Sequence, residues 1–170
     1  MTPRSLLHVE SEQVAKARAL VVEDEPANQD FLVRLIAQAG FDVQGADSGA
    51  AALRIAAEMP DLALVATDLQ LPDMHGIELV GQLRSLLPDS LLLVATMWDE
   101  PAMIARAFKH GCNVFLVKPH GFMELFRRLK EFPASRAELD NLLIDQYGPR
   151  AYQRQGATSH RAMTPPPPDG

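Results

Sequence analysis

Apolar and polar positions along this chain switch between two spacings, and the switch recurs five times. The runs Ala19-Leu20-Val21-Val22, Leu62 to Thr67 and Val114-Phe115-Leu116-Val117 are unbroken and short, and they stop at Glu23-Asp24, Asp68 and Lys118-Pro119. Such runs predict buried parallel strands covered on both faces. Between the strands, apolar residues return at helical spacing. Phe31, Leu32, Leu35, Ile36 and Ala39 predict an inward face for a first helix, with Pro26 in its first turn and Gly40 as its stop. Phe41 to Ala46 alternates instead, as a half-exposed edge strand does. Ser48 caps a second helix carrying Leu53, Ile55, Ala56 and Met59 to Pro60. A third carries Ile77, Val80, Leu83 and Leu87 after the turn-rich loop Leu71 to Gly76. A fourth strand, Leu91 to Thr96, precedes a helix over Pro101 to His110 that starts near Asp99. The fifth helix places Phe122, Leu125, Phe126 and Leu129 on one face.

This alternation predicts a doubly wound α/β fold with a five-stranded parallel sheet and helices on both faces. An edge-like second strand beside an apolar first one favours the order 2-1-3-4-5, with its switch point between the first and third strands. The strands at that point end in Glu23-Asp24 and Asp68. Three carboxylates and one ammonium therefore share a rim where open α/β sheets bind ligands, a setting suited to a cation and a phosphoryl group.

Around this unit (18–132) lie a polar leader (1–17), a segment (133–148) and a tail (149–170). Leu139, Leu142, Leu143, Ile144 and Tyr147 predict one face of an extra helix stopped by Gly148-Pro149. The tail, ending in Thr164-Pro165-Pro166-Pro167-Pro168, reads as disordered. With 170 residues, 47% of them apolar, the chain can bury a real core. Its net charge of −6 argues against broad contact with nucleic acid, and Arg127-Arg128-Leu129-Lys130 reads as the solvated face of a helix. The lone Cys112 fits a reducing compartment and a small buried residue. Neither a signal peptide nor a membrane span is visible, so a cytoplasmic location is expected. Residues 133–170 are too few for a DNA reader with its own core.

Four segments together resemble the receiver domain of bacterial two-component response regulators, of the chemotaxis-receiver, flavodoxin-like kind. They are Leu20 to Pro26, Asp68 to Leu79, Val94-Ala95-Thr96 and Phe115 to Pro119, in order and each at a strand end. The resemblance covers roughly 18–132. It implies Glu23 and Asp24 as ligands of Mg²⁺ and Asp68 as both ligand and phosphoacceptor. It adds the backbone carbonyl of Gln70 as a further ligand, Thr96 and Lys118 on the phosphoryl group, and Phe115 as an aromatic that turns with Thr96. It also implies a sensor histidine kinase or phosphotransfer protein as donor. Signalling would then pass to an unknown downstream protein, through the face of the fourth helix, fifth strand and fifth helix or through the extra helix. A homodimer is left open, and no membrane contact is expected.

The chemistry needs these residue types. An aspartate attacks phosphorus only as the anion, giving an acyl phosphate. Neighbouring carboxylates raise one another's pKa, and a divalent cation reverses this while bridging to phosphoryl oxygens. Lysine supplies a flexible point charge, and no general base is required. The resemblance implies a phosphoacceptor able to assist its own phosphorylation and dephosphorylation, and not a turnover enzyme. Taken alone, Asp68 would be a surface or capping aspartate and Phe115 a core residue; convergence with Asp24 and Lys118 argues for the site. Two departures from the family stand out. Met97 follows Thr96 where the family prefers a small residue and would obstruct access to Asp68. Trp98, one further on, would shield the acyl phosphate or form a partner surface; altered kinetics are expected. They also keep alive a second reading, a receiver-like interaction module that works without phosphorylation. An aspartate-nucleophile phosphatase needs an acid two residues after the nucleophile, and Gln70 stands there.

Overall fold

The computed structural model describes residues 15–153, so residues 1–14 and 154–170, with most of the expected leader and tail, lie outside it. The five predicted strands and helices are present. They are β1 (Arg18–Val22), α1 (Pro26–Gln38), β2 (Asp42–Ala46), α2 (Gly49–Glu58), β3 (Leu64–Thr67), α3 (Gly76–Leu86), β4 (Leu91–Thr96), α4 (Pro101–His110), β5 (Val114–Val117) and α5 (Phe122–Lys130). The order β2-β1-β3-β4-β5 is parallel throughout, and β2 is the edge strand. Every residue of β3, β4 and β5 is buried, as unbroken apolar runs require.

The period-2 pleat divides these strands between two cores. Leu20, Val22, Val65, Leu92, Val94 and Phe115 face α2, α3 and α4. Ala19, Val21, Leu64, Ala66, Leu93 and Leu116 face α1 and α5. Local chemistry sets the helix ends. Pro26 and Pro101 open α1 and α4, Glu100 rather than Asp99 is the N-cap of α4, and the Ser48 hydroxyl accepts from the Ala51 N–H at 3.1 Å.

Beyond α5 the expected extra helix is absent. A short 3-10 turn, Arg136–Leu139, leads to β6 (Leu142–Asp145), and β7 (Gly148–Ala151) folds back on it. β6 pairs parallel with β5 and β7 antiparallel with β6, so the sheet has seven strands among the described residues. The physical reason lies in the run Leu142-Leu143-Ile144. Leu142 and Ile144 enter the α1/α5 core while Leu143 enters the other, which needs a two-sided strand. A short apolar run fits helix and strand alike, and Tyr147, assigned to the helix face, is 80% exposed. Gly148-Pro149, expected as a helix stop, instead begins β7, and the expected tail is strand over its first residues. The free edge of β5 is therefore filled.

At the opposite, entry end of the sheet, Arg84 of α3 gathers carbonyls. Its guanidinium donates to the backbone oxygens of Leu87, Pro88, Ser90 and Gly111 and to Asn113 Oδ1. Asn113 Oδ1 also accepts from the Leu92 N–H at 2.8 Å. Burial lowers the pKa of Arg84. No helix among the described residues is long and apolar enough to cross a membrane.

Candidate functional site

The exit ends of β1, β3, β4 and β5 converge as the switch-point rule requires. Glu23, Asp24, Asp68, Gln70, Thr96 and Lys118 all line one cleft of about 530 Å³. Lys118 lies at its centre: its ammonium donates to Asp68 Oδ2 at 3.2 Å and to Glu23 Oε2 at 3.3 Å. Asp68 Oδ1 accepts from the backbone N–H groups of Leu69 at 2.6 Å and Gln70 at 3.1 Å. The carboxylate is thus oriented through one oxygen by the backbone and meets the ammonium with the other. The room for this comes from Gly76, where an added Cβ would lie 2.3 Å from the Asp68 carbonyl oxygen. Only glycine lets the start of α3 approach the β3 exit so closely.

Glu23 is 2% exposed, whereas Asp24 beside it is open to solvent. Burial raises the pKa of Glu23; the Lys118 charge opposes this and Asp68 adds to it. The site thus holds a buried carboxyl whose charge its surroundings only partly balance. Among the described residues, no three His, Cys, Asp or Glu side chains stand together as a closed metal cage. The donor set is nevertheless one of hard oxygens, and a small divalent cation that keeps several waters needs only one or two carboxylates. The residues present fit such an ion.

Thr96 is 1% exposed, and its Oγ1 accepts from the Trp98 N–H at 3.4 Å. Phe115 is fully buried and does not line the cleft; its ring lies 6.5 Å from that of Phe108 on α4. Met97 lies at the rim, 74% exposed, and Trp98 beside it has its ring 5.9 Å from His75. His75, which the sequence left without a role, caps α3 by accepting from the Ile77 N–H at 3.1 Å.

The roles of two further residues around the site escaped the sequence. Phe31, assigned to the inward face of α1, is 48% exposed and meets Phe122 edge to face at 5.0 Å on the cleft wall. Its neighbours Leu32 and Ile36 carry the buried stripe. Asp73 pins the loop after Asp68 to α2, its two oxygens accepting from Gly49 and Ala50 N–H at 2.8 Å each. These bonds lower its pKa. A carboxylate in a Pro-Asp turn was the available signal, but its partner is distant in sequence.

A five-stranded parallel core in this order, with acids and a lysine at the switch point, defines a flavodoxin-like α/β fold with a polar site at its strand ends. Residues 19–130 match the model of the response regulator receiver domain, and the chain belongs to that family. It is 32% identical over 155 residues to the transcriptional regulatory protein KdpE of Mycobacterium tuberculosis, covering 85% of this chain and 67% of KdpE. It is 32% identical over 104 residues to the chemotaxis protein CheY of Thermotoga maritima, covering 60% of this chain and 85% of CheY. The chain spans 58% of another relative, the probable transcriptional regulatory protein NarL of M. tuberculosis, at 35% identity over 73% of this chain. Among solved structures, a CheY-like receiver from Methanospirillum hungatei superposes with a TM-score of 0.65 at 23% identity, over 72% of this chain and 98% of that one. A Burkholderia pseudomallei response regulator holding a phosphorylated aspartic acid, a calcium ion and citrate gives 0.62 at 26% identity, over 72% and 71%. Receiver domains interact with histidine kinases or phosphotransfer proteins.

Proposed function

We propose that Asp68 of this chain accepts a phosphoryl group in a two-component relay and that Mg²⁺ assists. The observation that carries this reading is the double engagement of Asp68: two backbone N–H groups on Oδ1 and the Lys118 ammonium on Oδ2. The donor is a phosphohistidine of a kinase or phosphotransfer protein, or a small acyl phosphate. An Asp68 oxygen attacks phosphorus, an O–P bond forms, and the bond from phosphorus to the donor's nitrogen or oxygen breaks with its electron pair leaving on the donor. Lys118 neutralises a phosphoryl oxygen, and the buried Thr96 hydroxyl donates to another. Glu23, Asp24, Asp68 and the Gln70 carbonyl would hold the metal, which would supply charge neutralisation for the transfer. The Burkholderia relative, with phosphoaspartate and calcium together, supports that assignment.

The test is incubation with Mg²⁺ and acetyl phosphate followed by intact mass. One phosphoryl addition is expected, lost in Asp68→Asn and on chelation of the metal. A wild-type protein that gains no mass from any donor would leave the phosphorylation-independent interaction module in its place.

A further inference from the structure

We propose that the β6–β7 hairpin is a restraining strap on the phosphoryl site, loosened when Asp68 is phosphorylated; this inference rests on the function proposed above. Two contact paths join the hairpin to the site. The first runs along the backbone after Lys118. Gly121, with φ of +78°, packs so tightly on β6 that an added Cβ would lie 2.0 Å from Ile144 Cγ2. Ile144 thus rests on the loop that begins at the site's ammonium. The second path is aromatic. Phe115 of β5 touches Phe108 of α4, and Phe108 stacks on Tyr152, just past β7, at 4.1 Å with planes 6° apart. Tyr152 is held there by its N–H, which donates to the Asn141 carbonyl at 2.7 Å. Arg150 closes the hairpin with two 2.7 Å bonds to Asp145.

The strand order fixes the direction of the effect. A phosphoryl group on Asp68 sits at the exit of β3 and draws Thr96 of β4 toward it, while the Lys118 ammonium already meets Asp68 at 3.2 Å. That movement runs away from β6, which lies on the outer side of β5. The Lys118 N–H, bonded to the Thr96 carbonyl at 2.8 Å, carries the backbone after β5 with it. The loop at Gly121 is pulled off Ile144, and Phe115 cannot adjust without disturbing the Phe108–Tyr152 stack, because it is fully enclosed. By linkage, weakening the hairpin's hold favours the phosphoryl-bound state to the same degree.

The experiment measures amide hydrogen exchange of the full chain with and without acetyl phosphate and Mg²⁺, with intact mass read on the same samples. Residues 142–152 should exchange at least about tenfold faster in the phosphorylated protein, while β1 stays protected. Unchanged or slower exchange in that segment, with the phosphoryl mass present, overturns the strap and leaves the phosphoacceptor reading standing. No phosphoryl mass overturns both. As the reciprocal arm, Tyr152→Ala should bind the phosphoryl mimic beryllofluoride, with Mg²⁺, on the order of fivefold more tightly. Tyr152→Phe, which keeps the stack, should bind as wild type does. Equal affinities for Tyr152→Ala and wild type would overturn the proposal, and so would a loss shared by both variants.

Discussion

At the residue scale, Lys118 and Met97 play opposite parts. Lys118 serves two carboxylates at once, so its charge is already committed before any phosphoryl group arrives. Glu23 carries the cost of that economy, since burial and Asp68 push its pKa up against the pull of the ammonium. Met97 contributes bulk at the mouth. Its side chain stands 74% exposed beside the cleft, with Trp98 next to it, so it sits at the approach to Asp68 and does not fill the site. Met97→Ala is expected to speed loss of the phosphoryl group from Asp68 several-fold, followed as decay of the phosphorylated mass after the donor is removed. Unchanged rates of uptake and decay would remove any kinetic role for this side chain.

At the element scale, α5 is charged at both ends of one turn. Glu124 accepts from Arg127 at 2.7 Å and from Arg128 at 2.7 Å, and these bonds hold its carboxyl at about 2. The folded pKa lies below the unfolded value of 4.5, so the stabilisation is complete above about pH 4.5 and fades as pH falls toward about 2. Thermal melts across that interval should fall more steeply for wild type than for Glu124→Gln; parallel curves would sink the linkage. Most elements were legible because each carries one signal. Ser48, Pro26 and Pro101 mark starts, and unbroken runs mark the buried strands. β6 was not legible, because Leu142-Leu143-Ile144 is too short to reveal its period and Leu139 and Tyr147 complete a helical spacing by coincidence. Phe31 misled for a related reason: it continues the apolar stripe of α1 but faces the cleft. The convergence of Glu23, Asp24, Asp68, Thr96 and Lys118 was readable because strand ends of a parallel sheet share a rim. Asp73 and Arg84 were not, since their partners are set by tertiary contact alone.

At the scale of the whole molecule, a ligand bound only by the folded site stabilises the entire domain. At about a hundred times its dissociation constant, Mg²⁺ should add roughly 2.7 kcal/mol and raise the melting temperature by about 5–10 °C. Asp24→Asn should lose most of that rise; a rise of equal size in the variant would remove Asp24 from the metal site. The filled β5 edge also changes which surface is open to partners. Among the described residues, the face formed by α4, β5 and α5 includes no free strand edge, and the outermost strand on that side is β7, short, exposed and interrupted by Pro149. Proline there withholds an N–H, which discourages another chain from extending the sheet.

The grip of Arg84 has a consequence for how such a molecule moves. By knotting the feet of β4 and β5 to the tail of α3, it makes those strands behave like reeds clamped at the base. A tug at their tips bends them without sliding them, so displacement is smallest at the clamp and largest where Thr96 and Lys118 sit.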